Sequence, residues 1–252
     1  MPLIESLSPT LLLTLVGVFV LAGLVKGVVG LGLPTIAMAL LALWMTPAQA
    51  AALLIAPSLL TNVWQARPWQ RLPALLKRLA GMQLGVCIGT LSGALLLGAP
   101  TGDWAQILLG LVLIAYALWG LFGKAKQLSP TRERQLGGVV GVLTGLVTAA
   151  TGVFVVPAVP YLQALGLSRD ELIQAMGISF SVSTLTLAAG LWLNQSYASS
   201  EAGLSLLMLI PALLGMQLGQ YLRNRLSPTL FRRCFFGSLI LLGLYLASEL
   251  LA

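Results

Sequence analysis

The chain has 252 residues, of which 58% are hydrophobic and only 8% are charged. Soluble domains carry about 25% charged residues, so this composition excludes an ordinary soluble protein and indicates a membrane protein. The chain contains no histidine, which excludes Ser–His catalysis and the histidine-based zinc motifs. We therefore expect no enzymatic activity, no metal site and no cofactor.

Six apolar runs are long enough to cross a bilayer as α-helices, which requires about 20 predominantly apolar residues. These runs are residues 10–25, 79–99, 104–123, 171–193, 202–222 and 234–251. Shorter apolar segments lie between them. The pattern predicts an all-α, polytopic membrane protein with about 8–10 transmembrane helices.

The first apolar run continues into GLVKGVVGLGLP (23–34), where a single lysine stands among apolar residues. A lysine at the centre of a membrane helix costs about 2.5–3.5 kcal/mol, and such residues usually face a cavity or a transport pathway. Backbone N–H groups of neighbouring glycines can bind an anion beside the ammonium. Snorkelling of the lysine to the membrane interface is the alternative. The anion-binding residues predicted here are Lys26, Gly27, Gly30 and Gly32.

Glycine and proline interrupt the apolar pattern where each half of the chain opens. The interrupted pairs are segments 10–29 and 33–46 in the first half and segments 136–151 and 154–166 in the second. Such interruptions at matching places in two halves indicate broken helices around a binding site. We expect each half to open with a broken or re-entrant helix pair, and the two breaks to approach each other near the membrane midplane.

Polar side chains cluster at similar places in the two halves, at the ends of the third apolar segments. Pairing of this kind suits the lining of a substrate cavity, although hydrogen bonds between helices would place polar residues there as well. The candidates for the cavity lining are Thr61, Asn62, Ser179 and Ser183.

The second half repeats the lysine-containing stretch with threonine in place of lysine. Thr148 stands where Lys26 does, and Thr151 and Gly152 follow it. Threonine can donate a hydrogen bond to an anion without adding charge, or it can bond a carbonyl of its own helix. Both interpretations are open from the sequence, and we include the three residues in the predicted site.

Twelve of the fourteen Lys and Arg residues fall in three short segments, residues 67–78, 124–135 and 223–233. Cytoplasmic loops carry an excess of Lys and Arg, so we predict that these segments are cytoplasmic. Segments 99–103 and 194–202 contain acidic but no basic residues, which predicts that they and both chain termini are external. The two remaining cations are Lys26 and Arg169.

Similarity at a constant offset divides the chain into two halves. A shift of 122 residues superposes LAGLVKGVVG (21–30) on LTGLVTAATG (143–152), and GMQLG occurs at both 81–85 and 215–219. The predicted organisation is a first repeat (1–123), a cytoplasmic linker (124–135) and a second repeat (136–252). The basic loop of the first repeat corresponds to a loop without basic residues in the second, so the repeats should be inverted. Inverted repeats are a recurrent transporter architecture.

The motif GLVKGVVGLGLP, its counterpart GLVTAATGVFVVP, the paired helical halves and the chain length resemble the sulfite exporter (TauE/SafE) family. The resemblance covers nearly the whole chain. That family comprises bacterial inner-membrane permeases linked to the movement of sulfite, sulfoacetate and other small, mostly sulfur-containing anions. The resemblance therefore implies a multi-pass protein of the bacterial inner membrane with a substrate of this class.

We expect the protein to be a secondary transporter, either an exporter or a permease, for small anions such as sulfite or organosulfonates. An anion channel and a membrane scaffold without transport are the alternatives. The expected partners are the small anion and the lipid bilayer. Nucleic acid is not expected, because no aromatic residues accompany the basic clusters to form a base-stacking platform. A homo-oligomer is compatible with the sequence.

Overall fold

The structure is a computed structural model that describes residues 8–197, 199–223 and 225–248. Within those ranges it consists of helices without any strand. The helices are α1 (Pro9–Val29), α2 (Leu33–Leu41), α3 (Pro47–Gln65), α4 (Leu72–Leu97), α5 (Asp103–Phe122), α6 (Pro130–Thr151), α7 (Ala158–Ala164), α8 (Arg169–Leu193), α9 (Ser199–Leu222) and α10 (Pro228–Ser248). A short 3-10 turn precedes α4. The prediction of an all-α protein is confirmed.

Six of these helices are long and apolar enough to cross a membrane, namely α1, α4, α5, α8, α9 and α10. They are the helices predicted from the six apolar runs. Leu13, Leu96 and Leu241 on their outer faces are 73%, 81% and 70% exposed, as expected for side chains that face lipid rather than water. The protein is a multi-pass membrane protein.

A glycine in the left-handed backbone conformation caps the C-terminus of the first helix in each half. α1 ends at Gly30 (φ +84°) and α6 ends at Gly152 (φ +72°), a backbone conformation that glycine adopts without the strain of a side chain. The helices that follow, α2 and α7, have nine and seven residues. They span only about 14 and 10 Å, too short to cross a hydrocarbon core of about 30 Å. The broken helix pairs are confirmed, and α2 and α7 are shorter than segments 33–46 and 154–166.

Contacts between helix ends bring the basic clusters together. Arg78 pairs with Glu133 through two hydrogen bonds of 2.7 and 2.8 Å and also donates to the carbonyl of Leu165, which follows α7. Arg232 donates to the carbonyl of Gly120 in the last turn of α5. The linker 124–135 follows α5 directly, so these contacts place all three basic segments at one end of the helix bundle, which we name the basic end.

The loops without basic residues lie together at the opposite end. Asn194, which follows α8, donates to the carbonyl of Ala94 near the end of α4 at 3.0 Å. The N–H of Ala48 at the start of α3 donates to the carbonyl of Pro100 at 3.0 Å. The loop before α4 and the loop before α9 therefore lie at opposite ends of the bundle. That the two halves are inverted repeats stays a prediction.

The predicted basic loops are longer than the observed ones. α4, α6 and α10 begin at Leu72, Pro130 and Pro228, so each helix starts inside a segment that was expected to be a loop. Proline at the first or second helical position explains these starts. The backbone N–H that proline lacks would have no hydrogen-bond partner within the helix at these positions. The predicted external position of the two termini concerns residues 1–7 and 249–252, which lie outside the described residues.

The two helix breaks lie against different neighbours. A Cβ atom at Gly32 would be 3.3 Å from the Phe235 ring of α10, whereas one at Gly152 would be 2.7 Å from Met38 of α2 and 3.2 Å from Ala51 of α3. α1 reaches the basic end before it breaks, while α6 starts at the basic end and runs for 22 residues before its own break. Met38 is four residues beyond Pro34, so the second break packs against the helix that follows the first break. The approach of the two breaks near the midplane stays a prediction.

Capping boxes recur at the offset of 122 residues. Thr46 and Gln49 cap α3, and Ser168 and Glu171 cap α8, in each case through reciprocal hydrogen bonds between side chain and backbone. These local features are what a duplicated chain would retain. The division into repeats 1–123 and 136–252 with a linker at 124–135 stays a prediction.

The identical GMQLG sequences do not occupy equivalent helix positions. Gly81 lies nine residues after the start of α4, whereas Gly215 lies 16 residues after the start of α9. The two copies still have the same packing role, because Gly85 and Gly219 each allow close approach of a neighbouring helix. A Cβ atom at Gly85 would be 2.4 Å from the carbonyl oxygen of Gly138, and one at Gly219 would be 2.1 Å from a carbonyl oxygen of α1.

The topology can be tested with single cysteines introduced after the native Cys87 and Cys234 have been replaced by alanine. We expect a membrane-impermeant maleimide to label Thr101→Cys in intact cells, because this loop lacks basic residues. Lys126→Cys should react only after the membrane is permeabilised, because it lies in a basic segment that the positive-inside rule assigns to the cytoplasm. Labelling of position 126 but not of position 101 in intact cells would contradict the predicted orientation in the membrane.

Candidate functional site

Lys26 lies in the last turn of α1, and its side chain is only 4% exposed. Its Nζ atom donates a hydrogen bond of 2.9 Å to Oγ1 of Thr61 and another to Oδ1 of Asn62, both on α3. The ammonium ends inside the protein and does not reach its surface, so snorkelling does not describe this structure. Three of the predicted residues are therefore in direct contact.

A directional chain of hydrogen bonds orients Asn62. The hydroxyl of Thr184 on α8 donates to the carbonyl of Phe180 at 2.7 Å, which leaves its oxygen to accept from Ser58 at 3.2 Å. Ser58 in turn accepts from the Asn62 amide nitrogen at 3.1 Å. Because a hydroxyl has a single proton to donate, this order directs the amide oxygen of Asn62 toward Lys26.

A proline inside α3 lies one turn before the site. Pro57 has no N–H, so the carbonyl of Leu53 loses its usual partner within the helix. The Ser205 hydroxyl of α9 donates to that carbonyl at 2.9 Å and accepts from the N–H of Ala56 at 3.0 Å. α9 thereby compensates for the interruption. The carbonyl of Pro57 accepts the hydroxyl proton of Thr61 at 2.6 Å, which leaves the Thr61 oxygen directed at the lysine.

The site has one cation and no carboxylate to neutralise it. No ion pair involves Lys26 among residues 8–197, 199–223 and 225–248, and its two partners are neutral oxygens. An ammonium has three N–H donors, of which two are committed to α3. A buried charge without a counter-ion is unfavourable, so the third donor and the uncompensated charge together favour binding of a small anion.

The site lies near the basic end rather than at the midplane. Lys26 and Asn62 each precede the last residue of their helix by three positions, which corresponds to about 4.5 Å along each axis. α9 ends at the same level, because a Cβ atom at Gly27 would be 2.9 Å from Cα of Gly219, three residues before the end of α9.

The predicted glycines do not offer N–H groups to the same anion. Gly27 packs against α9, where a Cβ atom would be 2.2 Å from the carbonyl oxygen of Met216. The N–H of Gly30 donates to the carbonyl of Lys26 at 2.7 Å, as a helix C-cap does. Gly32, also with positive φ, precedes α2 and lies beside Phe235 of α10. These three glycines shape the end of α1, whereas the lysine side chain is directed toward α3.

The threonines of the second half bond to their own helix. The hydroxyls of Thr148 and Thr151 donate to the carbonyls of Thr144 and Val147, each at 2.7 Å. Gly152 donates its N–H to the carbonyl of Thr148 at 2.8 Å. Their protons are thus committed, and the back-bonding interpretation describes the structure. A second anion site at this position would require these bonds to break.

The two serines of α8 are buried but lie apart from Lys26. Ser179 accepts a hydrogen bond of 2.8 Å from the Gln83 amide nitrogen. Its side chain therefore faces α4, whereas the partners of Lys26 lie on α3. Ser183 is 1% exposed and makes no hydrogen bond with the described residues. Of the eleven predicted residues, the structure unites Lys26, Thr61 and Asn62 in one network.

Ser58 belongs to the Lys26 network, and the sequence pattern did not single it out. It is 1% exposed and links the Lys26 network to α8. A serine within an apolar helix gives no strong signal, because it is commonly a packing residue. Its spacing of four residues from Asn62 was the available clue, since residues four apart share one face of a helix.

Comparison with known proteins identifies a family but no individual relative. A family model described as "Sulfite exporter TauE/SafE" matches residues 15–246 of the chain. The matched range includes the Lys26 network and all ten helices in whole or in part. Neither the curated proteins nor the solved structures contain a significant match.

Proposed function

Because the chain belongs to the sulfite exporter TauE/SafE family, whose members are membrane transporters, we propose that it carries small anions such as sulfite or organosulfonates across a bacterial cytoplasmic membrane. The observation that supports this proposal is the buried Lys26 ammonium, which contacts only the neutral oxygens of Thr61 and Asn62. No enzymatic step is part of the proposed function.

A single cation with neutral partners suits transport better than a permanently paired one. A carboxylate beside Lys26 would compete with the substrate for the ammonium, whereas a hydroxyl and an amide oxygen hold the side chain without neutralising it. Binding of the anion then supplies the missing countercharge. Because only one full charge attracts the substrate, release is not opposed by a second cation.

The position of the site indicates how an anion would arrive. Basic side chains collect at the same end of the bundle as Lys26 and raise the local concentration of anions. The last turns of α1, α3 and α9 separate the ammonium from that surface. We infer that movement of these helix ends opens the site toward the basic end, and that the break after α1 lets its last turn move without bending the whole helix.

The proposal is tested by flux into proteoliposomes that contain the purified protein. Labelled sulfite and an organosulfonate such as sulfoacetate should enter in a saturable manner, and labelled choline should not. Accelerated exchange by internal substrate would indicate a transporter. Conductance without such exchange would favour a channel. Liposomes with the protein that take up no more anion than protein-free liposomes would leave only the scaffold role.

A further inference from the structure

A cavity of about 450 Å³ lies at the basic end, separate from Lys26. It borders the break between α1 and α2 and is enclosed by α5, α7 and α10. Its inner wall is apolar and aromatic, with Val28, Leu31, Tyr116, Phe235 and Phe236 among the lining residues. The volume falls within the range of about 300–1,000 Å³ that is usual for small-molecule sites.

Three arginines line the mouth of this cavity. They are Arg169, Arg223 and Arg232, from the basic-end termini of α8, α9 and α10. Arg232 is anchored, because its Nε and Nη2 atoms donate to the carbonyl of Gly120 at 2.9 and 2.6 Å. The guanidinium groups of Arg169 and Arg223 make no hydrogen bond or ion pair with the described residues, so they are available to a ligand.

The polar groups deeper in the cavity are also donors. The Tyr116 side chain is 2% exposed, and its hydroxyl makes no hydrogen bond with the described part of the chain. The amide oxygen of Gln163 accepts from the Trp119 indole N–H at 3.3 Å, which leaves the amide N–H groups of Gln163 as donors. No carboxylate lines the cavity.

We propose that this cavity binds an amphiphilic anion, with a phosphate or sulfonate group held by Arg169 and Arg223 and an attached apolar chain against the aromatic wall. Guanidinium groups match tetrahedral oxyanions because their N–H donors lie in one plane and can form paired hydrogen bonds. Basic pockets between transmembrane helices on the cytoplasmic side also hold anionic lipid headgroups. The same chemistry is presented by an anionic phospholipid and by a soluble alkyl sulfonate.

Isothermal titration calorimetry of the full-length protein in an uncharged detergent tests this site with four probes. Dihexanoylphosphatidylglycerol and hexane-1-sulfonate are amphiphilic anions, dihexanoylphosphatidylcholine has the lipid chains without net charge, and inorganic sulfate has the charge without a chain. We expect at least one amphiphilic anion to bind roughly tenfold or more tightly than both controls. Preference for the phospholipid would identify a lipid site, and preference for hexane-1-sulfonate would identify a site for soluble anions.

The double variant Arg169→Gln/Arg223→Gln should weaken the preferred probe about tenfold or more, since it removes two charges near the ligand. Lys126→Gln/Arg132→Gln removes the same charge from the exposed linker and the start of α6, and should retain the wild-type affinity. Equal affinity in the two double variants overturns the proposal. So does phosphatidylcholine or sulfate that binds as tightly as the amphiphilic anions. These outcomes do not depend on flux, so they are distinct from failure of the proposed transport function.

Discussion

Replacing Lys26 with methionine is expected to weaken the apparent affinity for the transported anion about 10²-fold. The substitution removes the only charge of the Lys26 network and keeps an apolar stem of similar length. Two unit charges about 4 Å apart attract each other by about 4 kcal/mol at an intermediate effective dielectric, and part of this attraction is offset by desolvation of the anion. The measurement is concentration-dependent uptake by reconstituted wild type and variant at equal protein density.

The variant should remain folded, because two effects of the substitution oppose each other. Removing the lysine removes an insertion cost of about 2.5–3.5 kcal/mol. The amide oxygen of Asn62 loses its donor, and a buried unpaired acceptor costs about 1–3 kcal/mol. Thr61 keeps its bond to the carbonyl of Pro57. An unchanged elution volume and thermal midpoint would show that lost uptake reflects the site and not the fold.

A second variant separates an anion site from a structural anchor. Asn62→Asp places a carboxylate beside the Lys26 ammonium with almost no change in volume. It should abolish uptake at low substrate concentration, because the new carboxylate supplies the countercharge that the substrate would provide. If the lysine only anchors α1 to α3, the ion pair should strengthen that anchor and uptake should be unaffected. Wild-type affinity in both Lys26→Met and Asn62→Asp would discard the proposed site.

Gly23→Ala is expected to destabilise the protein by about 3 kcal/mol, or roughly 6–12 °C in the thermal midpoint. Gly23 lies where α1 contacts α9, and an added Cβ atom would be 2.1 Å from the carbonyl oxygen of Ala212 and 3.0 Å from the nitrogen of Met216. Both neighbours are backbone atoms, so only separation of the two helices relieves the overlap. Membrane helices associate through such close backbone contact, because lipid provides no hydrophobic drive to hold them together.

Gly17→Ala is the matched control on the same helix. A Cβ atom at Gly17 would have no neighbour within 4 Å, and alanine favours the helix over glycine by up to about 1 kcal/mol. The midpoint of Gly17→Ala should therefore equal or exceed that of the wild type. Thermal unfolding of the three purified proteins in one detergent provides the comparison. Equal midpoints for Gly23→Ala and Gly17→Ala would contradict the tight α1–α9 contact.

The sequence by itself determined the helical membrane class, the six long spans and the interrupted helices. These features depend on local properties. A run of about 20 apolar residues is most favourable in the bilayer, and a helix cap with positive φ is set by the glycine at that one position. Glycines 81, 85, 89 and 93 recur every four residues in the sequence, a spacing that predicts a packing stripe, and the structure places the last three in close contact with α6. The three basic segments were predicted to lie on the same side of the membrane, and in the structure they lie at one end of the helix bundle.

Only the tertiary structure decided what Lys26 contacts. Its partners Thr61 and Asn62 lie 35 and 36 residues away, and no periodicity within α1 determines which helix its side chain faces. Tertiary packing likewise assigned Gly27 to α9 rather than to an anion, and it placed Gly152 against Met38 of α2. It also brought Arg169 beside Arg223 at one cavity. Such relations depend on how long helices cross one another, and that crossing is set by many weak contacts distributed along the whole chain.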